Sequence, residues 1–325
     1  MSFARNSRWI RARGVALVLV LVMFAAIVPN SHAQSPPAAA YQISVDVNLV
    51  VLPVTVRDRQ GRNVPDMRES DFKVYEDRVL QSLRLFRHED IPVIAGLLVD
   101  HSGSMRPKIG EVIAGARAFV QFSNPQDRMF VVNFNESVSL GLPNAIEFTT
   151  DPDQLERAIW RDPAVGETAL YDAIVKALAK LQTGGLDKKV LVVISDGDDN
   201  ASSHSLAQAL NMAERSSAII YTVGLFAPED RDANPKVLRR LARETGGEAF
   251  FPDQPRAVTE ICEQIARDIR NQYTLGYVSA NAQRDAYRAI RVSAQAPGHG
   301  KLLVRTRSGY IRGEQFQRTT EADEK

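Results

Sequence analysis

The strongest constraint on this chain is a series of short, near-continuous apolar runs separated by segments of helical period. Residues 93–99, 130–134, 190–194 and 219–223 are almost wholly apolar, as strands become when both faces are covered. Between them Ile109, Val112, Ile113, Ala116 and Val120 recur at helical spacing, as do Leu170, Ile174, Leu178 and Leu181. Leu206, Leu210 and Met212 suit a further helix, and Val237, Leu238 and Leu241 fit one ending at Gly246-Gly247. Residues 249–251 read as a short strand, and Val258, Ile261, Ile265 and Ile269 line one face of a closing helix. This alternation predicts an α/β domain over residues 91–272, with a doubly wound, mostly parallel sheet and helices on both faces. Cys262 falls on the apolar face of the last helix and reads as a small buried hydrophobe.

On either side the period changes to that of strands. Val45, Val47, Leu49 and Val51 alternate with other residues, and Val54 and Val56 resume after Pro53 in the opposite phase, which suggests a bulge or an edge strand. Phe72 and Val74, then Leu83 and Leu85, mark two more short strands, so residues 41–90 form an N-terminal β segment. Tyr273, Leu275 and Tyr277 alternate, and residues 287–292 and 302–304 continue a C-terminal β segment over 273–312, before a polar tail at 313–325. Neither flank has many strands from which to build a core, so the two are expected to pair into one small β-sandwich.

The N-terminus stands apart. Arg5, Arg8, Arg11 and Arg13 precede an uncharged apolar stretch at 15–28, followed by Ser31-His32-Ala33. A basic region, an apolar core and a small-x-small end are the parts of a secretory signal peptide, here residues 1–33. The apolar stretch is short for a membrane span of ~20 residues, so the alternative, an uncleaved inner-membrane anchor, is disfavoured. Residues 34–40, with two prolines and three alanines, read as a linker. The expectation is an exported protein, periplasmic or at the cell surface, with no membrane span in its mature part. Loss of residues 1–33 leaves 36 basic against 39 acidic residues, a balance that argues against nucleic acid as a partner. With Cys262 the only cysteine, no intramolecular disulfide can form, and stability must come from the core and any bound metal.

Ligands of open α/β sheets collect at the carboxyl ends of the strands. Three stretches at that edge are rich in hard oxygen donors. The run at 93–99 ends in Asp100-His101-Ser102-Gly103-Ser104; Gly166-Glu167-Thr168 opens a helix; and Ser195-Asp196-Gly197-Asp198-Asp199-Asn200 follows the run at 190–194. Carboxylates and hydroxyls without histidine or thiolate favour magnesium, manganese or calcium over zinc. Two serines, one threonine and two aspartates could hold such an ion and leave a position open.

Asp100-x-Ser102-x-Ser104, Thr168 within Gly-Glu-Thr-Ala-Leu, and Asp196 within Ser-Asp-Gly together resemble the von Willebrand factor type A (VWA) domain in order and separation. The resemblance covers residues 91 to about 272. It implies a Rossmann-like fold and a metal-ion-dependent adhesion site, with Ser102, Ser104 and Thr168 ligating a divalent cation directly and Asp100 and Asp196 acting through water. Mg2+ is the expected ion, with Mn2+ or Ca2+ as alternatives. The implied partner is a protein that offers an Asp or Glu carboxylate. The stretches at 54–58, 70–77 and 272–277 also resemble a bacterial exported subgroup, in which the domain sits between short β segments.

Other polar residues near these loops receive separate expectations. His101 is placed at the surface or rim, and Asp198 and Asp199 on a solvated acidic rim. Glu167 is a helix-start acid favoured by the helix dipole, and Tyr171 and Asp172 either line the site or pack. No Gly-x-Ser-x-Gly elbow, phosphate loop or dinucleotide fingerprint occurs. The expectation is a non-enzymatic, metal-dependent binding module. Its alternatives are a metal-dependent hydrolase using the same cation and a structural envelope component whose metal site is unused.

Overall fold

A computed structural model describes residues 49–226, 233–280 and 286–311. The signal peptide, the linker and the polar tail expected from the sequence lie outside the described residues.

The apolar runs become the central sheet. In chain order the elements are β1 (Leu49–Arg57), β2 (Phe72–Glu76), β3 (Val79–Gln81), β4 (Leu83–Arg87), β5 (Ile94–Asp100), α1 (Ile109–Phe122), β6 (Arg128–Phe134), β7 (Val138–Leu140), α2 (Pro152–Trp160) and α3 (Leu170–Thr183). Then come β8 (Lys189–Ser195), α4 (Leu206–Ser216), β9 (Ile219–Gly224), α5 (Pro235–Thr245), β10 (Ala249–Phe250), α6 (Val258–Arg270), β11 (Tyr273–Val278), β12 (Tyr287–Ala294), β13 (Leu303–Arg305) and β14 (Gly309–Ile311). The central sheet has the order β10-β9-β8-β5-β6-β7. All of its pairs are parallel except β6 with β7. β5 lies in the middle and is buried along its whole length, which is why its sequence is a continuous apolar run rather than an alternating one. Helix α1 packs against α2 and α6, while α3 packs on α4 and α4 on α5.

Two elements of this domain carry weak apolar period. Helix α2 buries only Leu155, Ala158 and Ile159, too few for a hydrophobic stripe to stand out. Its signature is at the N-terminus, where Asp151 accepts the Asp153 N–H and Pro152 occupies the first turn. Strand β7 is three residues long with no buried position.

The flanks pair as expected. Sheets β13-β1-β11-β4 and β14-β12-β2-β3 both mix strands from the two ends of the chain. Leu52, Val54, Val56, Phe72, Val74, Tyr273, Leu275 and Tyr277 form their shared core. Buried inside it, Glu76 accepts hydrogen bonds from Tyr277, Ser279 and Tyr310 and forms a salt bridge with Arg288 at 3.2 Å. Burial pushes the Glu76 carboxyl up, but these donors and the Arg288 charge outweigh it and hold it below its ordinary value.

Of the bulge or edge strand expected at Pro53, the bulge is corrected and the edge holds locally: β1 runs unbroken through Pro53, which is paired with β11 on one side only. β11 pairs with Leu49 to Val54, whereas β13 begins only at Thr55. The Pro53 carbonyl accepts the Thr306 hydroxyl at 2.9 Å, on the β13 side. The nitrogen of a strand residue points to the same side as its carbonyl, so the missing N–H faces a gap where no ladder has started.

Candidate metal centre

β5 and β8 are neighbours in register, and their C-terminal ends bring together residues about a hundred positions apart. Asp100 ends β5 and Ser195 ends β8, and the Ser195 hydroxyl donates to Asp100 Oδ2 at 2.6 Å. The other carboxylate oxygen accepts the Ser102 N–H at 2.8 Å, which tightens the loop after β5. Ser104 Oγ lies 3.2 Å from Ser102 Oγ and donates to Asp196 Oδ2 at 2.6 Å. Asp100, Ser102, Ser104 and Asp196 therefore form one hydrogen-bonded cluster.

Thr168 reaches the same edge from a different loop. Gly166 has φ of +85° and its carbonyl accepts the Gly103 N–H at 3.3 Å, which ties the Thr168 loop to the Asp100 loop. The Val165 N–H donates to the His101 carbonyl at 2.8 Å and reinforces that contact. Two residues on, Thr168 is 3% exposed, and its N–H donates to Asn200 Oδ1 at 2.8 Å.

Asp100 is completely buried. Burial drives its carboxyl up to about 6; hydrogen bonds from Ser102 and Ser195 work against this, and the nearby Asp196 carboxylate adds to it. Two acidic groups and two hydroxyls thus converge where negative charge is costly, a setting that a cation relieves. Among the described residues no three His, Cys, Asp or Glu side chains gather as a metal cluster, so any ion here depends on the serine and threonine hydroxyls. That donor set fits a hard divalent cation with oxygen ligands.

Two of the neighbouring residues, His101 and Asp199, are placed differently from expectation. His101 is not at the rim: it is buried, with Nδ1 3.2 Å from the Val99 carbonyl and Nε2 2.8 Å from the Ile159 carbonyl. The free carbonyls at the C-terminus of α2 give its ring a polar anchor inside the protein. Asp199 is more than a solvated rim residue, because Oδ2 accepts the Tyr171 N–H at 2.9 Å and the Ser202 hydroxyl at 2.6 Å. It caps α3 from another loop, since Ala169 at the N-cap has no side-chain oxygen. Asp198 is half-buried and accepts from the Asn200 side-chain amide at 3.1 Å. Asp172 turns to the loop before α4, where it accepts the Ser203 and His204 N–H groups and pairs with His204 Nδ1 at 2.6 Å. Tyr171 packs against the core. Glu167 is exposed and its N–H donates to Glu136 Oε2 at 3.0 Å.

Three supporting residues, Ser195, Asn200 and Glu136, have no role in the sequence expectations. Ser195 and Asn200 stand within the third oxygen-rich stretch, which is the one local signal for them.

Among solved structures the chain is similar to a von Willebrand factor type A protein from Catenulispora acidiphila, with TM-score 0.51, 15% identity, and coverage of 75% of this chain and 74% of that one. It is also similar to proximal thread matrix protein 1 from the mussel byssus with zinc occupied MIDAS motif, with TM-score 0.48, 13% identity, and coverage of 65% and 50%. A third is the manganese-loaded Plasmodium vivax TRAP protein, with TM-score 0.44, 16% identity, and coverage of 74% and 100%. At these identities the likeness concerns the fold alone. No curated protein matches the chain. The family model of the von Willebrand factor type A domain matches residues 96–264, just over half of the chain, and the protein belongs to that family.

Proposed function

We propose that this protein is an exported, metal-ion-dependent binding module that captures an Asp or Glu carboxylate of a partner protein. The observation that carries this reading is the hydrogen-bonded cluster of Asp100, Ser102, Ser104 and Asp196, assembled from two loops at the carboxyl edge of the sheet with Thr168 tied alongside. Ser102, Ser104 and Thr168 would hold a divalent cation, Mg2+ first among the candidates, with Asp100 and Asp196 balancing its charge. When bound, such a cation supplies positive charge and an exchangeable coordination position. Ser104 is exposed, so the cluster opens to solvent on the side a partner would approach. Ser195 and the Ser102 N–H keep Asp100 oriented.

Catalysis is the weaker reading. His101, next in sequence to Asp100, has both ring nitrogens committed to backbone carbonyls, and His204 stands in the loop before α4, paired with Asp172. His101 therefore supplies no general base to the cluster. The N-terminal signal-peptide pattern and the flanking β segments support export and membership of the bacterial exported subgroup. Among the described residues no helix is long and apolar enough to cross a membrane.

Calorimetric titration of Mg2+ into wild type and Asp100→Ala tests the metal assignment. Saturable binding by wild type and its loss in the variant are expected; equal binding by both rejects it. A pull-down from the native cell envelope with and without chelator tests the partner, which is expected to be released when the metal is removed.

A further inference from the structure

Thr168 owes its place to another loop. Its N–H donates to Asn200 Oδ1 at 2.8 Å, and its carbonyl accepts the N–H groups of Asn200 and Ala201, each at 3.0 Å. Both polar backbone groups of the threonine are thus held by one asparagine and its neighbour. Thr168 is 3% exposed, so water is poorly placed to replace a lost acceptor, and an unsatisfied buried N–H is costly. The same asparagine reaches the other way. Its Nδ2 donates to Asp198 Oδ2 at 3.1 Å, and the Asp198 N–H donates to Asp196 Oδ1 at 3.2 Å. One amide therefore links Thr168 to the carboxylate on the third loop, and its two partners, an N–H and a carboxylate, fix which end is oxygen.

Two other contacts hold this stretch but do not depend on a buried side chain in the same way. The Ala169 N–H donates to the Asn135 carbonyl at 2.7 Å, a main-chain bond that any residue at 135 could provide. The Glu136 carboxylate that accepts the Glu167 N–H is exposed, where water can stand in for it.

We infer that Asn200 is a positioning residue of the cation site, acting through Thr168. This rests on the metal-binding reading above. Asn200 lies in the same Ser-Asp-Gly loop as Asp196, so the loop that supplies one site residue also sets the position of another. Asn200 itself is exposed, so truncating it leaves the core intact.

The test is Mn2+ binding to the full chain, followed by electron paramagnetic resonance. The set comprises wild type, Thr168→Ala, Asn200→Ala, Asn200→Gln, Asn200→Asp and the Thr168→Ala/Asn200→Ala double variant, with metal-free melting curves for each. Asn200→Ala and Asn200→Gln are expected to bind about tenfold more weakly, the size of effect expected for one buried hydrogen bond. Asn200→Asp keeps the acceptor for the Thr168 N–H but loses the donor to Asp198 and sets two carboxylates face to face, so its binding is expected to fall between wild type and Asn200→Ala. The double variant is expected to bind like Thr168→Ala alone, because the asparagine acts through the threonine. Metal-free melting curves are expected to show a single cooperative transition for each variant, so that a loss of Mn2+ binding is read on folded protein. Wild-type binding retained in Asn200→Ala overturns this inference alone, as do losses that multiply in the double variant or an Asn200→Asp as weak as Asn200→Ala. Absence of Mn2+ binding by wild type overturns the metal reading and this inference with it. Should Asn200→Ala fail to fold, Asn200→Gln carries the same comparison.

Discussion

Ser195 Oγ donates to Asp100 Oδ2 at 2.6 Å and accepts the Gly197 N–H at 3.0 Å. This single hydroxyl, fully buried at the end of β8, orients the carboxylate at the end of β5 and shapes the turn after Asp196. Ser195→Ala leaves a buried carboxylate oxygen and a buried N–H without their partner. It is expected to cost about 1–3 kcal/mol in urea unfolding and to weaken Mg2+ binding severalfold in calorimetry. Unchanged affinity would show that Asp100 is oriented without it.

Metal binding and stability should be linked. A cation that binds only the folded chain, supplied at a hundred times its dissociation constant, is expected to add about 2.7 kcal/mol. The resulting rise in melting temperature should reverse with chelator. Thr168→Ala and Ser104→Ala should melt at the same temperature with and without Mg2+ at that concentration.

Asp268 on α6 is buried against Arg57 of β1, with Arg305 of β13 at 3.4 Å. Burial raises the Asp268 carboxyl even though both arginines pull it down. Removing one member of a buried ion pair is costly, although Arg57 keeps Glu248 at 3.1 Å and Asp268 keeps Arg305. Asp268→Ala is therefore expected to destabilise the chain by about 2–3 kcal/mol in equilibrium denaturation, less than for an isolated buried pair, with Arg57→Ala close to it. A loss below about 1 kcal/mol would be the behaviour of an exposed pair.

The loop before α4 should respond to acid. Burial is the largest single influence on the Asp172 carboxyl and raises it, but the Ser203 and His204 N–H groups and the side chains of His204 and Ser203 together outweigh it and hold it at about 2. A carboxyl lowered on folding contributes its full stability above its unfolded value near 4 and loses it as pH falls towards 2. Wild type is expected to exceed Asp172→Asn by about 1 kcal/mol at neutral pH, after allowance for solvent screening. That difference should shrink between pH 4 and pH 2 in acid titrations followed by circular dichroism.

Gly166 holds a backbone conformation that a side chain would strain. Its φ is +85°, and an added Cβ would fall 1.6 Å from Glu136 Oε2. Gly166→Ala is expected to cost about 1–3 kcal/mol from backbone strain, to displace Glu136 from the Glu167 N–H, and to weaken Mg2+ binding. Glu136→Ala, which makes room, should restore part of the lost stability in the double variant.

Legibility in the sequence followed from how much of each feature was local. The run ending at Asp100 announced β5 because burial on both faces demands apolar residues at successive positions. Helix α2 escaped notice because its burial is slight, although Asp151-Pro152 marks its start. The five oxygen-bearing residues could be grouped because each stands where a strand ends or a helix begins. His101 could not be placed, because the carbonyl of Ile159 that draws its ring inward lies 58 residues away.

The order of apolar runs and helical periods in this chain determined, without any coordinates, the α/β class and the edge at which Asp100, Ser102, Ser104, Thr168 and Asp196 collect. These are consequences of backbone period and burial, which each segment carries in itself. Tertiary structure alone decided that Ser195 orients Asp100, that Asn200 holds Thr168, that Asp199 caps α3, and that Pro53 sits harmlessly inside a sheet. Each of these is a hydrogen-bond partnership, or the absence of one, between residues far apart in sequence. The partner is fixed only when β5, β8 and α3 pack, and when the two flanks of the chain close into one sandwich.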